Sequence, residues 1–257
     1  MKRRQFVAAS LAASAAVTSG QVVAQAAPAQ KQVFELRIYE FRTGASPASL
    51  ETYLKEGLMP ALNKLGAKNI GVFSELAKPE PGKLYVLIPH ASWDAYSTSA
   101  TKLAADSTYT QARTAYDAVA VDKAPYARYT TSILNAFDAL PALAVPAKES
   151  RIFELRTYEG YSEDAVRRKV KMFNVDELPI FYKTKLNPVF FGEVIAGEHM
   201  PCLTYMLTFK NMEERDANWK QFGSHPDWKR VSQAPEYANT VSHIIRVFLE
   251  PTAYSQV

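Results

Sequence analysis

The residues best suited to chemistry recur in pairs. Glu35, Arg37 and Tyr39 alternate with apolar neighbours in Phe34-Glu35-Leu36-Arg37-Ile38-Tyr39-Glu40, and Glu154, Arg156 and Tyr158 do so again in Phe153-Glu154-Leu155-Arg156-Thr157-Tyr158-Glu159. A guanidinium can hold an anionic or carbonyl group through two parallel hydrogen bonds, and a phenol can add another donor. The same residues have a plainer use: Glu35 and Glu154 neutralise Arg37 and Arg156, the Tyr hydroxyls complete the network, and the set fixes strand register, because buried charge is costly unless paired. His90 and His243 each lie in a strand-like run, as rim histidines or as ligands to a metal or haem. His199 and Cys202, three apart beside Pro201, make half of a metal site without a second pair, so no metal is expected. No Gly-rich phosphate loop, nucleophile elbow or zinc-protease helix is present, and the residues assign neither a catalytic group nor a cofactor.

The elements that must carry these residues also come twice. An offset of 119 residues relates the two heptapeptides and also maps Pro60 to Pro179, Leu84 to Leu203 and Tyr109 to Trp228. One constant offset points to duplication rather than chance recurrence. Each copy opens with a strand, since Phe34, Leu36 and Ile38 alternate with the polar set at period two. A helix follows, with Ser46 as a candidate N-cap, Pro47 in its first turn and a stripe from Leu50 to Leu65. Pro60 should kink it, lacking an N–H and crowding the preceding turn. The matching helix follows Ser162, with Glu163 and Asp164 at its positive end. Strands are then expected at 70–73 and 84–88 and, in the second copy, at 189–192 and 203–209. Second helices start near Ser92 and Asn211, and closing strands span 128–137 and 240–249. The order is β-α-β-β-α-β in each copy. The Pro-containing stretch 138–150 reads as a linker, giving units at 27–137 and 151–257.

Residues 1–26 read as an export signal. Arg3-Arg4 with Phe6 at the following +2 position is of the twin-arginine type, an Ala-rich stretch follows, and Ala24-Gln25-Ala26 offers a small-x-small cleavage site. The stretch is too weakly apolar for a stable membrane anchor. The expected location after cleavage near Ala26 is the periplasm or the exterior. With the leader gone the formal net charge of +4 falls to +1, since Lys2, Arg3 and Arg4 leave with it, which removes the basic surplus a nucleic-acid partner would need. Cys202 is the sole cysteine, so an exported chain would depend on packing rather than a disulfide.

The strand motif Phe-Glu-Leu-Arg-x-Tyr-Glu, followed by a Pro-containing helix, an apolar strand and a second helix led by Trp93 or Met212, resembles the NIPSNAP family of the dimeric α/β-barrel superfamily. The resemblance implies an α+β fold in which two ferredoxin-like repeats pair sheet to sheet as an intramolecular barrel with helices outside. It further implies that Phe34, Leu36 and Ile38 lie under the helices, while Glu35, Arg37, Tyr39, Glu154, Arg156 and Tyr158, with His90 and His243, form a ligand site in the barrel interior. The expected function is binding of a small molecule or protein partner through the barrel, with further self-association open. The alternative is a small oxygenase or lyase acting on an aromatic or haem-like ligand.

Overall fold

The computed structural model describes residues 30–149 and 151–257; the expected export signal at 1–26 lies outside them. The first repeat runs β1 (Val33–Phe41), α1 (Ala48–Thr52), α2 (Met59–Lys64), β2 (Gly71–Glu75), β3 (Lys83–His90), α3 (Trp93–Ala105), α4 (Ser107–Asp117) and β4 (Tyr126–Ala136). The second runs β5 (Ile152–Glu159), α5 (Glu163–Met172), α6 (Leu178–Lys183), β6 (Asn187–Ala196), β7 (Cys202–Phe209), α7 (Met212–Ser224), α8 (Pro226–Val231) and β8 (His243–Pro251). The duplication expected from the offset is thus realised element for element.

The eight strands of the described residues close one antiparallel barrel in the order β1-β3-β2-β8-β5-β7-β6-β4. Within each repeat the first strand lies between the third and the last, as in a ferredoxin-like sheet. Between repeats, β2 pairs with β8 and β4 with β6, so each repeat closes the other's sheet. Closure leaves no unpaired edge.

The first long helix of each repeat breaks just ahead of its proline, Pro60, where a kink was expected, and Pro179 in the second copy. Its α-helical ends are joined by a π-helical segment, Tyr53–Leu58 in one copy and Phe173–Glu177 in the other, and Pro60 or Pro179 sits in the first turn of the resumed helix. The wider turn accommodates a residue that cannot donate a hydrogen bond and crowds the preceding turn. The second helical segment of each repeat is itself divided. Asp106 caps α4 by accepting from the Tyr109 amide at 2.9 Å, and His225 caps α8.

Three apolar clusters hold the molecule. One packs the helices of the first repeat on its sheet (Leu50, Leu54, Val72, Val86, Ile88), and a second does so for the second repeat (Phe173, Phe181, Phe191, Leu203). The third fills one end of the barrel. Phe34 packs on Phe190 and Phe153 on Phe73, with ring centroids 5.1 and 4.9 Å apart. Leu36, Leu155, Leu143 of the linker and the terminal Val257 join them.

This placement corrects the expected faces of the strands. Phe34, Leu36 and Ile38 point into the barrel, and Glu35, Arg37, Tyr39, Glu154, Arg156 and Tyr158 point outward, beneath the helices. An eight-stranded barrel is just wide enough for side chains to fill, and its closed end supplies no polar partners. The space beneath α3 and α7 supplies them.

Candidate functional site

In the first repeat the outward set forms a compact cluster. Glu35 accepts from Arg37 Nε at 2.5 Å and lies 3.0 Å from His90 Nε2, in register because Glu35 and His90 sit near paired ends of β1 and β3. Burial alone would raise the Glu35 carboxyl, but the His90 hydrogen bond and the Arg37 charge outweigh it and hold the group below its ordinary value. His90 is buried and packs edge-on against Tyr96 of α3, so it is not a barrel-interior residue as expected. Tyr39 lies among Tyr126 and Tyr129, and burial raises its phenol.

The second repeat closes its copy of the cluster. Glu154 is completely buried and accepts from Arg215 Nε and Nη2 at 3.0 and 2.9 Å and from Trp219 Nε1 at 2.8 Å. Arg156 lies over the Trp219 ring, 4.4 Å from its centroid, and 3.6 Å from Glu154. Tyr205 donates to Tyr158 at 2.8 Å, and burial pushes the Tyr158 phenol up to about 12. Each glutamate thus stands beside its arginine, but Tyr158 bonds Tyr205 rather than the ion pair, and Arg156 Nε is buried without a hydrogen-bond partner.

The inward face holds what the sequence reading missed. A cavity of about 220 Å³ occupies the barrel beyond the aromatic plug, toward the ends of β1 and β5, among Leu36, Ile38, Leu155 and Val247. Glu75, Tyr85, Thr130 and Ser132 supply polar groups from the first repeat, and Thr157 and Thr204 share a 2.9 Å hydrogen bond on the second. Glu40 and Lys83, paired at 2.8 Å, stand half-exposed where the cavity reaches the surface. Tyr85 donates to Glu75 Oε1 at 3.2 Å, while Glu75 Oε2 is buried without a hydrogen-bond partner. Burial, followed by the Glu75 charge, raises the Tyr85 phenol. The available signal was polar intrusion on one face: Thr130 and Ser132 two apart in β4, and Lys83 and Tyr85 two apart in β3.

Of the residues expected in the interior, only His243 stands on the inward side, at the rim, exposed and 3.5 Å from Glu159. His199 takes the other oxygen of that carboxylate at 2.9 Å. Cys202 is buried beside them, and burial pushes its thiol up to about 11. Among the described residues no group of three His, Cys, Asp or Glu side chains is disposed to hold a metal ion, and no helix is long and apolar enough to cross a membrane.

The sequence profile of the NIPSNAP family matches residues 153–256. No curated protein matches the chain. Two solved structures, from Lactobacillus acidophilus NCFM and Fusobacterium nucleatum subsp. nucleatum ATCC 25586, are each described as a "putative monooxygenase". The first is 12% identical, with 86% of this chain and 94% of that chain covered and a TM-score of 0.57. The second is 8% identical, with 86% and 92% covered and a TM-score of 0.54. At these identities they establish the dimeric α/β-barrel fold and nothing about chemistry. An uncharacterized NIPSNAP-like domain protein from Burkholderia xenovorans is 15% identical over 42% of this chain and 90% of its own, with a TM-score of 0.37.

Proposed function

This chain carries a NIPSNAP domain in its second repeat, and on that premise we propose that the protein binds a small ligand inside the barrel formed by its two repeats. One observation carries the reading: an interior cavity of about 220 Å³ whose wall includes Glu75, with a buried and unpartnered oxygen. Buried polar atoms are almost always hydrogen-bonded, and an acceptor left over in the wall of a concave site is the feature a ligand would use. The cavity lies below the roughly 300–1,000 Å³ of drug-sized sites, so the ligand is compact, a single ring or short chain.

The test is a fragment screen by ligand-observed NMR on the full protein, repeated with Ser132→Phe and with Val247→Phe, which fill the lumen from opposite walls. Fragments should bind the parent and be lost from both folded variants. Binding that survives both fillings would place the ligand elsewhere and defeat the proposal.

A second reading, an enzyme, rests on the Glu35–His90 pair. A carboxylate that orients a histidine is an arrangement for proton transfer, and the Arg37 side chain beside it remains one-fifth exposed, at 21%. In this reading an oxygenase or lyase acts on a small aromatic ligand. His90 is buried with its Nε2 held by Glu35, so haemin added to the protein should give no shifted absorption band. Export through the twin-arginine route is a further part of the proposal, supported by Arg3, Arg4 and Phe6. Expressed in a bacterium, the chain should reach the periplasm shortened near Ala26, and Arg3→Lys with Arg4→Lys should stop it.

A further inference from the structure

The two halves of the lumen are not alike, although their backbones are related by one offset. At positions 119 residues apart, Ile38 corresponds to Thr157, Tyr85 to Thr204, Glu75 to Val194 and Lys83 to Cys202. The last strands match through their pairing with β1 and β5, so Thr130 and Ser132 correspond to Ile245 and Val247. The first repeat thus lines the cavity with a carboxylate, a phenol and two hydroxyls, where the second places Val194, Thr204, Ile245 and Val247. The first repeat is the more polar wall, while the second presents Leu155, Val194, Ile245 and Val247 around the Thr157–Thr204 pair, with Glu198 and His199 at the rim.

The lumen also has a definite sign. Lys83 is held by Glu40, and His199 at the rim by Glu159. Glu75 and Glu198 line the cavity with no cationic partner among the described residues. Glu75 already receives the Tyr85 hydroxyl on Oε1, and its Oε2 accepts nothing. An ionised carboxylate can only accept hydrogen bonds. A group that completes it must therefore donate, and one that carries positive charge gains most from a carboxylate withdrawn from water.

Resting on the lumen-binding reading above, we propose that the ligand class is a small primary or secondary amine on an apolar body, with its ammonium on Glu75 and its hydrocarbon against Leu155, Val194, Ile245 and Val247. Carboxylate-bearing ligands are excluded, because they would face Glu75 on one wall and Glu198 on the other without a free cation.

The experiment compares benzylamine, benzyl alcohol and benzoate, one ring with three heads, by calorimetry and by chemical-shift mapping on the full protein at neutral pH. Benzylamine should bind at least tenfold more tightly than benzyl alcohol, shifting the resonances of lumen residues, and benzoate should not bind. Glu75→Gln, which preserves shape, should bring benzylamine down to the level of benzyl alcohol. Benzoate binding as well as benzylamine, or a Glu75→Gln protein that keeps the tenfold preference, would overturn the amine assignment while leaving lumen binding intact. Failure of all three compounds to shift lumen resonances would defeat the lumen reading and this inference together. The comparison of heads on the unaltered protein decides the matter even if the variant does not fold.

Discussion

The two repeats spend the same motif differently. Glu35 in the first shares its oxygens between His90 and Arg37, whereas Glu154 in the second is enclosed by Arg215, Trp219 and Arg156. Position by position, the second repeat has Phe209 for His90, Arg215 for Tyr96 and Trp219 for Ala100, so the histidine is lost and donors from α7 cover the carboxylate. The helices differ in the reverse sense. Leu50 and Leu58 are buried in the first repeat where the second buries Lys169 and Glu177, paired at 2.7 Å. One backbone accepts either solution, so neither a buried ion pair in the helix layer nor a sealed carboxylate is required by the fold.

Breaking that ion pair should have the largest effect on stability. Lys169→Ala leaves Glu177, fully buried, without its partner and should cost about 3–5 kcal/mol, read as a lower midpoint in urea unfolding. Replacing both by leucine, as in the first repeat, should instead be neutral or stabilising by about 1–4 kcal/mol, since the desolvation of two ions is removed along with their attraction. A double variant as damaged as the single one would show that the pair does something in the second repeat that leucine at positions 50 and 58 does not do in the first.

The same contrast predicts opposite responses to pH. Burial raises the Glu177 carboxyl despite Lys169, while His90 and Arg37 more than offset burial and lower that of Glu35. A lowered carboxyl contributes stability that is present above its ordinary value near 4.5 and is lost as the pH falls through its folded value. A raised one acts the other way: the folded state holds the proton more tightly, so stability declines as the pH rises from about 4.5 through the folded value. Glu35→Gln should therefore flatten the acid side of a stability–pH curve, and the Lys169→Leu/Glu177→Leu protein should lose the decline on the other side. If the two changes flatten the same limb, the assignment of the two carboxyls is wrong.

Duplication, element order and the two sets of strand residues were legible because period two and a fixed offset of 119 residues survive divergence. Which set faced the lumen was not. The burial pattern of β1 is closed on both sides, with Phe34 and Leu36 buried inward and Glu35 and Tyr39 buried outward, and alternation distinguishes two faces without saying what covers each. The charged residues find their partners outside the lumen, Glu35 in Arg37 and His90 of β3 and Glu154 in Arg215 and Trp219 of α7, and β3 and α7 are distant from them in sequence. The cavity was hidden for a related reason. Glu75, Tyr85, Thr130 and Thr204 lie on four strands, and their convergence depends on barrel closure, which no local pattern records. The π-helical segments left only Pro60 and Pro179 as a trace.

The smallest effect sharpens the comparison at the helix starts. Ser92 and Asn211 occupy corresponding positions, and each side chain accepts from the third residue of its helix, Ala95 at 3.1 Å and Glu214 at 2.9 Å. The second cap has an addition: the Glu214 carboxylate receives the Lys210 amide at 2.6 Å, so two backbone donors at that end are satisfied together, much as in a capping box. Ser92→Ala should cost about 0.5–1 kcal/mol and Asn211→Ala about 1–2 kcal/mol, within the range for lost N-caps. The ordering follows because α7 carries Arg215 and Trp219, the two donors that enclose Glu154, whereas α3 offers Glu35 no hydrogen bond. Fraying at Asn211 should therefore be felt at the buried carboxylate, and Trp219 fluorescence should shift in Asn211→Ala below the unfolding transition. Equal losses at the two caps, with no change in Trp219, would mean that the sealed cluster of the second repeat is held by its strands alone.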